Sequence, residues 1–131
     1  MRVRAVAVVI QGNGVLVIAR TKNGQEYSVL PGGGVEPGET LRHACLRELR
    51  EETGLEGEIL RRLFVAGASD EDAVYFHVSV RSRRLRLGGP ESQRDQPTNR
   101  YEPLWVPIAE LKGLVPASAH EAVRAARFKT G

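Results

Sequence analysis

Short apolar, β-branched-rich runs broken by polar turns fill the first thirty residues, and a helical period begins after residue 40, so strands come before a helix. The β-branched runs from Val3 to Ile10 and from Val15 to Ala19 flank Gln11-Gly12-Asn13-Gly14, whose Asn-Gly pair suits a tight turn with positive φ. This pattern predicts a β-hairpin. A polar turn at Lys22-Asn23-Gly24 leads to a short strand from Tyr27 to Leu30, which Pro31 and the glycines at 32 to 34 end.

From Thr40 to Thr53 the spacing predicts a helix, with Leu41, Cys45 and Leu49 four residues apart and Gly54 as its stop. Ile59 to Ala66 and Ala73 to Val80 read as two strands around the loop Gly67 to Asp72, and Leu85 to Leu87 as an arginine-studded extension of the second. Gly88 to Asn99 holds no apolar residue except two prolines and reads as a ligand-contacting loop. A strand resumes from Tyr101 to Val106. Pro107 suits the first position of a short helical turn, and Ser118 suits the cap of a last helix from Ala119 to Phe128.

Composition narrows the class. The 131 residues, 41% hydrophobic and 27% charged, fit a single globular domain over 1–131 and exclude collagen-like and wholly disordered chains. The longest apolar stretch, Ala5 to Ile10, is far too short to span a membrane or form a signal peptide, which points to a cytoplasmic protein with no membrane partner. A lone cysteine, Cys45, allows neither an internal disulfide nor a zinc cage, so any metal must be held by oxygen or histidine. The net charge of +3 is too small to argue for nucleic acid as a partner, although Arg81, Arg83, Arg84 and Arg86 cluster and leave an RNA or polyanion binder as a minor alternative. A homodimer using that arginine-rich edge is left open.

The acidic helix carries the chemistry. At about 100° per residue, Glu52, Glu48 and Glu51 lie at about 20°, 340° and 280° from Leu41, so three carboxylates share one face beside the apolar stripe. Like charges at this spacing destabilise a helix by a few tenths of a kcal/mol per pair, and a bound cation removes the conflict. Oxygen ligands suit Mg2+ or Mn2+, which typically keep waters and substrate phosphates in their shell. The glycines at 32 to 34 let the main chain come close, so a carbonyl can join that shell. Arg47, four residues before Glu51, can hold its rotamer, and Glu39 lies where the helix dipole favours a carboxylate that can reach the metal shell.

From Gly33 the order is five residues, Glu39, seven residues, Arg47-Glu48, Leu49, Arg50, Glu51-Glu52, Thr53, Gly54 and Leu55. This segment resembles, position for position, the signature box of the Nudix hydrolase family. The resemblance implies an α/β fold, an α/β/α sandwich around a mixed β-sheet. It also implies Mg2+- or Mn2+-dependent hydrolysis of a nucleoside diphosphate linked to another moiety, with a nucleotide-type small molecule as substrate. Carried over by position, Glu48, Glu51 and Glu52 would be the metal ligands, with the Gly32 carbonyl and Glu39 supporting them and Arg47 completing the catalytic set. Either Glu48 or Glu51 can be the base.

Many relatives carry a further acidic residue where this chain has Asn99; Asp95 and Glu102 are the nearby substitutes. Arg20, at the end of the second strand, resembles a phosphate contact of some relatives, against the plainer reading of an exposed strand-end arginine. Asp70 stands where relatives acting on ADP-ribose often have proline, and the tyrosine of diadenosine-polyphosphate enzymes is not matched at 71 to 73. Nucleoside triphosphates remain by elimination. The alternative on the same fold is a non-catalytic nucleotide-binding domain, which the intact set of Glu48, Glu51 and Glu52 argues against.

His43 falls opposite the acidic face and reads as a surface residue, Cys45 as a small core residue, and His77 and His120 lack partners at metal spacing. Tyr101 and Trp105 read as strand packing residues, although Tyr27, Phe76 or Tyr101 can stack on a base.

Overall fold

The computed structural model describes residues 3–65, 72–86 and 99–128. The predicted hairpin joins β1 (Arg4–Gln11) to β2 (Gly14–Lys22), with Gln11 opposite Gly14. The positive φ of its two-residue turn falls on Gly12, at 60°, and not on the Asn13-Gly14 pair. Asn23 and Gly24, both at positive φ, make the next turn into β3 (Gln25–Val29), where an Asn-Gly pair matches the twist of the flanking strands.

The glycine run does more than end a strand. Gly32–Gly34 forms β4, antiparallel to β1, with Val6 opposite Gly32 and Arg4 opposite Gly34. The two backbones lie so close that a Cβ on Gly32 would sit 2.6 Å from the Ala5 carbonyl oxygen and 2.8 Å from Val6 Cα. Only glycine fits there.

After β4 come helix α1 (Leu41–Thr53), β5 (Gly57–Leu63), β6 (Ala73–Val80), β7 (Asn99–Pro107), a 3₁₀ turn (Ile108–Glu110) and helix α2 (Ala117–Phe128). Among the described residues the seven strands form one mixed sheet. β1 is at its centre, parallel to β6 on one side, and bordered on the other by β4 near its start and by β2 at its end. β2 lies between β3 and β7, and β5 pairs with the far side of β6.

Alternation along β1 divides the core between two faces. Ala5, Ala7 and Val9 pack with Leu16, Phe76 and Val78 against Ala44, Cys45 and Leu49 of α1. Val6 and Val8 pack with Val15, Val17 and Tyr75 against Ala119, Ala122, Val123 and Ala126 of α2. One helix on each face makes this an α/β/α sandwich around a mixed sheet, as expected from the sequence. No helix among the described residues is long and apolar enough to cross a membrane.

Three local expectations change. Residues 81–86 are not an extension of β6: the segment crosses to α1, where the Arg86 N–H donates to the Thr53 carbonyl at 2.9 Å and the Arg86 side chain covers Gly54. Within it, the Arg83 guanidinium lies 4.5 Å from the centre of the Trp105 ring, and the Trp105 indole N–H donates to the Arg83 carbonyl at 2.9 Å. A carbonyl and a ring that need partners therefore override the β pattern. The last helix begins at Ala117, so Ser118 lies inside its first turn, and the Ser118 hydroxyl pairs with the Tyr75 hydroxyl at 2.7 Å. β5 ends at Leu63 rather than Ala66. Leu87, Asp70 and nearly all of the loop predicted from Gly88 to Asn99 lie outside the described residues.

Candidate active site

The site forms where β4 meets the inner face of α1. Thr40 caps α1, its hydroxyl accepting the His43 N–H at 3.1 Å, and Gly54 closes it with φ 80° and an N–H bond to the Arg50 carbonyl. Between these ends Glu52 turns inward. Its Oε1 accepts the Gly32 N–H at 2.8 Å, and the residue is only 9% exposed. The Gly32 carbonyl in turn accepts from Arg4 Nη2 at 3.3 Å.

Arg47 organises the remaining acids. Its Nε and Nη2 donate to the two oxygens of Glu39 at 2.6 and 2.9 Å, a two-pronged bond that a lysine could not make. Nη1 reaches Glu48 at 3.2 Å and Glu51 at 3.3 Å, Nη2 also donates to the Gly34 carbonyl at 3.2 Å, and Glu36 lies 3.3 Å from Nε. The expected pairing of Arg47 with Glu51 exists, but the closest partner is Glu39. The Arg47 hydrogen bond, aided by the Glu36 N–H, holds the Glu39 carboxyl down at about 2, so Glu39 is ionised at neutral pH. The same carboxylates push the Arg47 pKa up.

The donor chemistry fits a hard divalent cation. Glu48, Glu51 and Glu52 offer carboxylate oxygens and β4 offers main-chain carbonyls, the ligand types of Mg2+ and Mn2+. The Glu48 carboxylate lies directly against Gly33, where any Cβ would collide with it, so the loop is shaped around that carboxylate. Among the described residues no three acidic, histidine or cysteine side chains converge as a ready chelate; Arg47 Nη1 contacts both Glu48 and Glu51.

Other expected residues lie elsewhere. Arg20 shares the α1 face of the sheet with Leu16 and Trp105, and its guanidinium lies over two flanking rings, 4.1 Å from Tyr101 and 5.5 Å from Tyr27. Its buried Nε has no hydrogen-bond partner among the described residues. Glu102 is not brought to the α1 acids: opposite Ala19 in the register, it points to the α2 face, and it lines a hollow that Arg20, Tyr27, Leu104 and Lys112 also line. One step of strand alternation decides this. Asp95 lies outside the described residues. His43 is exposed, and its ring stands 3.6 Å from Glu39. Cys45 is fully buried, and burial pushes its thiol up to about 12, which makes it inert. His77 is buried on β6, and burial lowers its pKa.

Sequence reasoning missed Arg4. Alternation along β1 marks it only as a polar strand residue, and its contact with Gly32 depends on the pairing of β1 with β4, which three glycines do not advertise.

Comparison with known proteins agrees with the box. A family model described as the NUDIX domain matches residues 1–126. A Mycobacterium tuberculosis protein designated MutT4 is 39% identical over 87 residues, covering 63% of this chain and 33% of that protein. A Methanocaldococcus jannaschii protein named ADP-ribose pyrophosphatase is 39% identical over 88 residues, covering 62% of this chain and 52% of that protein. The chain thus matches about a third of the length of one relative and about half of the other. Among solved structures, a MutT NUDIX hydrolase from Burkholderia pseudomallei shares the fold at TM-score 0.68 and 23% identity, over 95% of this chain and 96% of its own. An ADP-ribose pyrophosphatase from Streptococcus suis shares it at TM-score 0.72 and 13% identity, over 99% and 92%. With the family model matching nearly the whole length and the signature residues gathered around Arg47, the chain belongs to the NUDIX family.

Proposed function

We propose that this protein hydrolyses a phosphoanhydride bond in a nucleoside diphosphate linked to another group, with Mg2+ or Mn2+ as cofactor. The observation that carries this reading is the meeting of Glu48 and Glu51 on one guanidinium nitrogen, next to a Glu52 hooked onto β4. Glu48, Glu51 and Glu52, with the Gly32 carbonyl, would hold the cation. When bound, that cation supplies a polarised water and neutralises charge developing on the bridging oxygen.

The protein's own part is positioning. Glu52 holds Gly32 of β4 against α1 through the glycine N–H, which would keep the Gly32 carbonyl near the helix acids. Arg47 keeps Glu48 and Glu51 together while its other edge is anchored on Glu39, and Glu39 therefore acts through Arg47. Either Glu48 or Glu51 accepts the proton of the attacking water, and the pH profiles of their glutamine variants decide which. Arg20, backed by Tyr27 and Tyr101, offers a cation with a stacking surface to a nucleotide on the same face of the sheet.

For the leaving moiety, elimination on the sequence favours nucleoside triphosphates, whereas the relative from Methanocaldococcus jannaschii is named for ADP-ribose. The test is phosphate or pyrophosphate release from nucleoside triphosphates, ADP-ribose, nucleotide sugars and dinucleoside polyphosphates with Mg2+, Mn2+ or EDTA. One preferred, metal-dependent substrate establishes the reaction. Nucleotide binding without turnover across the panel assigns the chain to the non-catalytic class instead.

A further inference from the structure

Arg4 is a cation outside the signature box whose side chain ends at the site. From β1, opposite Gly34, its Nη2 donates to the Gly32 carbonyl at 3.3 Å. Among the described residues no carboxylate lies within ion-pair distance of it. A guanidinium has five N–H donors, and among the described residues that carbonyl is the one hydrogen-bond partner of the Arg4 side chain. Arg4 is exposed.

The carbonyl it holds is also the one read above as a ligand for the divalent cation, and the inference rests on that reading. A guanidinium bonded to a ligand oxygen withdraws electron density from it and places a positive charge beside the arriving cation. Both effects weaken metal binding. Once released, the same guanidinium would be free for a substrate phosphate held at that cation, since its fork geometry suits phosphate oxygens.

We propose that Arg4 is an exchangeable partner of the site: it occupies the Gly32 carbonyl in the metal-free protein, gives that oxygen up to the divalent cation, and then binds the phosphate chain of the substrate. This assigns Arg4 two effects of opposite sign, opposing the metal and favouring the phosphate. A residue that only braced β4 would support both.

The experiment measures two affinities on the whole chain. Mn2+ binding is read from the free-ion spin-resonance signal without substrate, and methylenediphosphonate binding is read by calorimetry at saturating Mn2+. Arg4→Met is expected to tighten Mn2+ and weaken methylenediphosphonate, each by about three- to tenfold, with Arg4→Lys in between. Weakening of both ligands, or change in neither, overturns the proposal and leaves Arg4 as a strand brace or a surface residue. Glu52→Gln is the control for the underlying reading. If Glu52→Gln weakens Mn2+ binding but Arg4→Met leaves it unchanged, only the role of Arg4 fails; if Glu52→Gln leaves Mn2+ unaffected, or wild type binds none, the metal site itself fails and Arg4 with it.

Discussion

Glu52 and Gly32, twenty residues apart, are joined by a buried 2.8 Å hydrogen bond from the glycine N–H to the carboxylate. The bond ties the first residue of the glycine run to the last turn of α1, and so sets where the helix acids stand relative to the β4 carbonyls. One carboxylate oxygen thus serves the fold in a residue that the proposed chemistry also uses.

Replacements at Glu52 should separate those roles. Glu52→Gln keeps an oxygen acceptor for Gly32, so its thermal midpoint should stay close to wild type while turnover falls at least about a hundredfold, and Glu48→Gln should behave alike. Glu52→Ala leaves a buried N–H unpaired and should also lose about 1–3 kcal/mol in urea unfolding. Wild-type turnover in both glutamine variants would refute the mechanism.

The two adjacent glycines should respond differently to alanine. At Gly32 the new methyl meets the Ala5 carbonyl and Val6 Cα, main-chain atoms that cannot yield without separating β1 from β4, so Gly32→Ala should destabilise by about 1–3 kcal/mol or more. At Gly33 it meets the flexible end of Glu48, so Gly33→Ala should change stability little and displace that carboxylate, which loss of activity at near-normal midpoint would register.

Arg47→Lys should fail to restore what Arg47→Ala removes, since the two-pronged bond to Glu39 needs a guanidinium. Arg47 also sets a pH response. Glu39, held at about 2 against an ordinary 4.5, contributes stability that is full above pH 4.5 and is lost as pH falls toward 2. Acid-unfolding curves of wild type should show that loss, and those of Arg47→Ala should show much less of it.

His77 should make the fold sensitive in a milder range. Burial, with Arg61 nearby, holds its pKa below the ordinary 6.5. The unfolded chain therefore takes up a proton near pH 6.5 that the folded chain refuses, so His77 is neutral in its effect above that pH and destabilising below it. Between pH 7.5 and about 5, the melting temperature of wild type should fall further than that of His77→Gln; parallel curves would count against this.

Much of the molecule is legible along the chain. The period of Leu41, Cys45 and Leu49 marks α1 and places Glu52 beside the stripe that enters the core, where it is found. Asn23-Gly24 marks its hairpin turn. Less legible were features whose partners lie outside the local window: residues 81–86 carry a strand-like pattern yet run to Trp105 and Thr53 because those groups supply their hydrogen bonds. Glu102 is near Tyr101 in sequence and on the other side of the sheet in space, since alternation turns neighbours apart.

The sequence by itself determined the helix, its glycine stop, the spacing of Glu39, Arg47, Glu48, Glu51 and Glu52, and through that spacing the family, because these are short-range relations set by bond geometry and the helical repeat. Only the tertiary structure decided that Glu39 rather than Glu51 is the main partner of Arg47, that Glu52 anchors Gly32, and that Arg4 reaches the carbonyl of the same glycine. Those contacts depend on the register of β4 against β1 and the docking of α1 on the sheet. Both are settled by packing between segments far apart in the chain, which no local pattern of residues encodes.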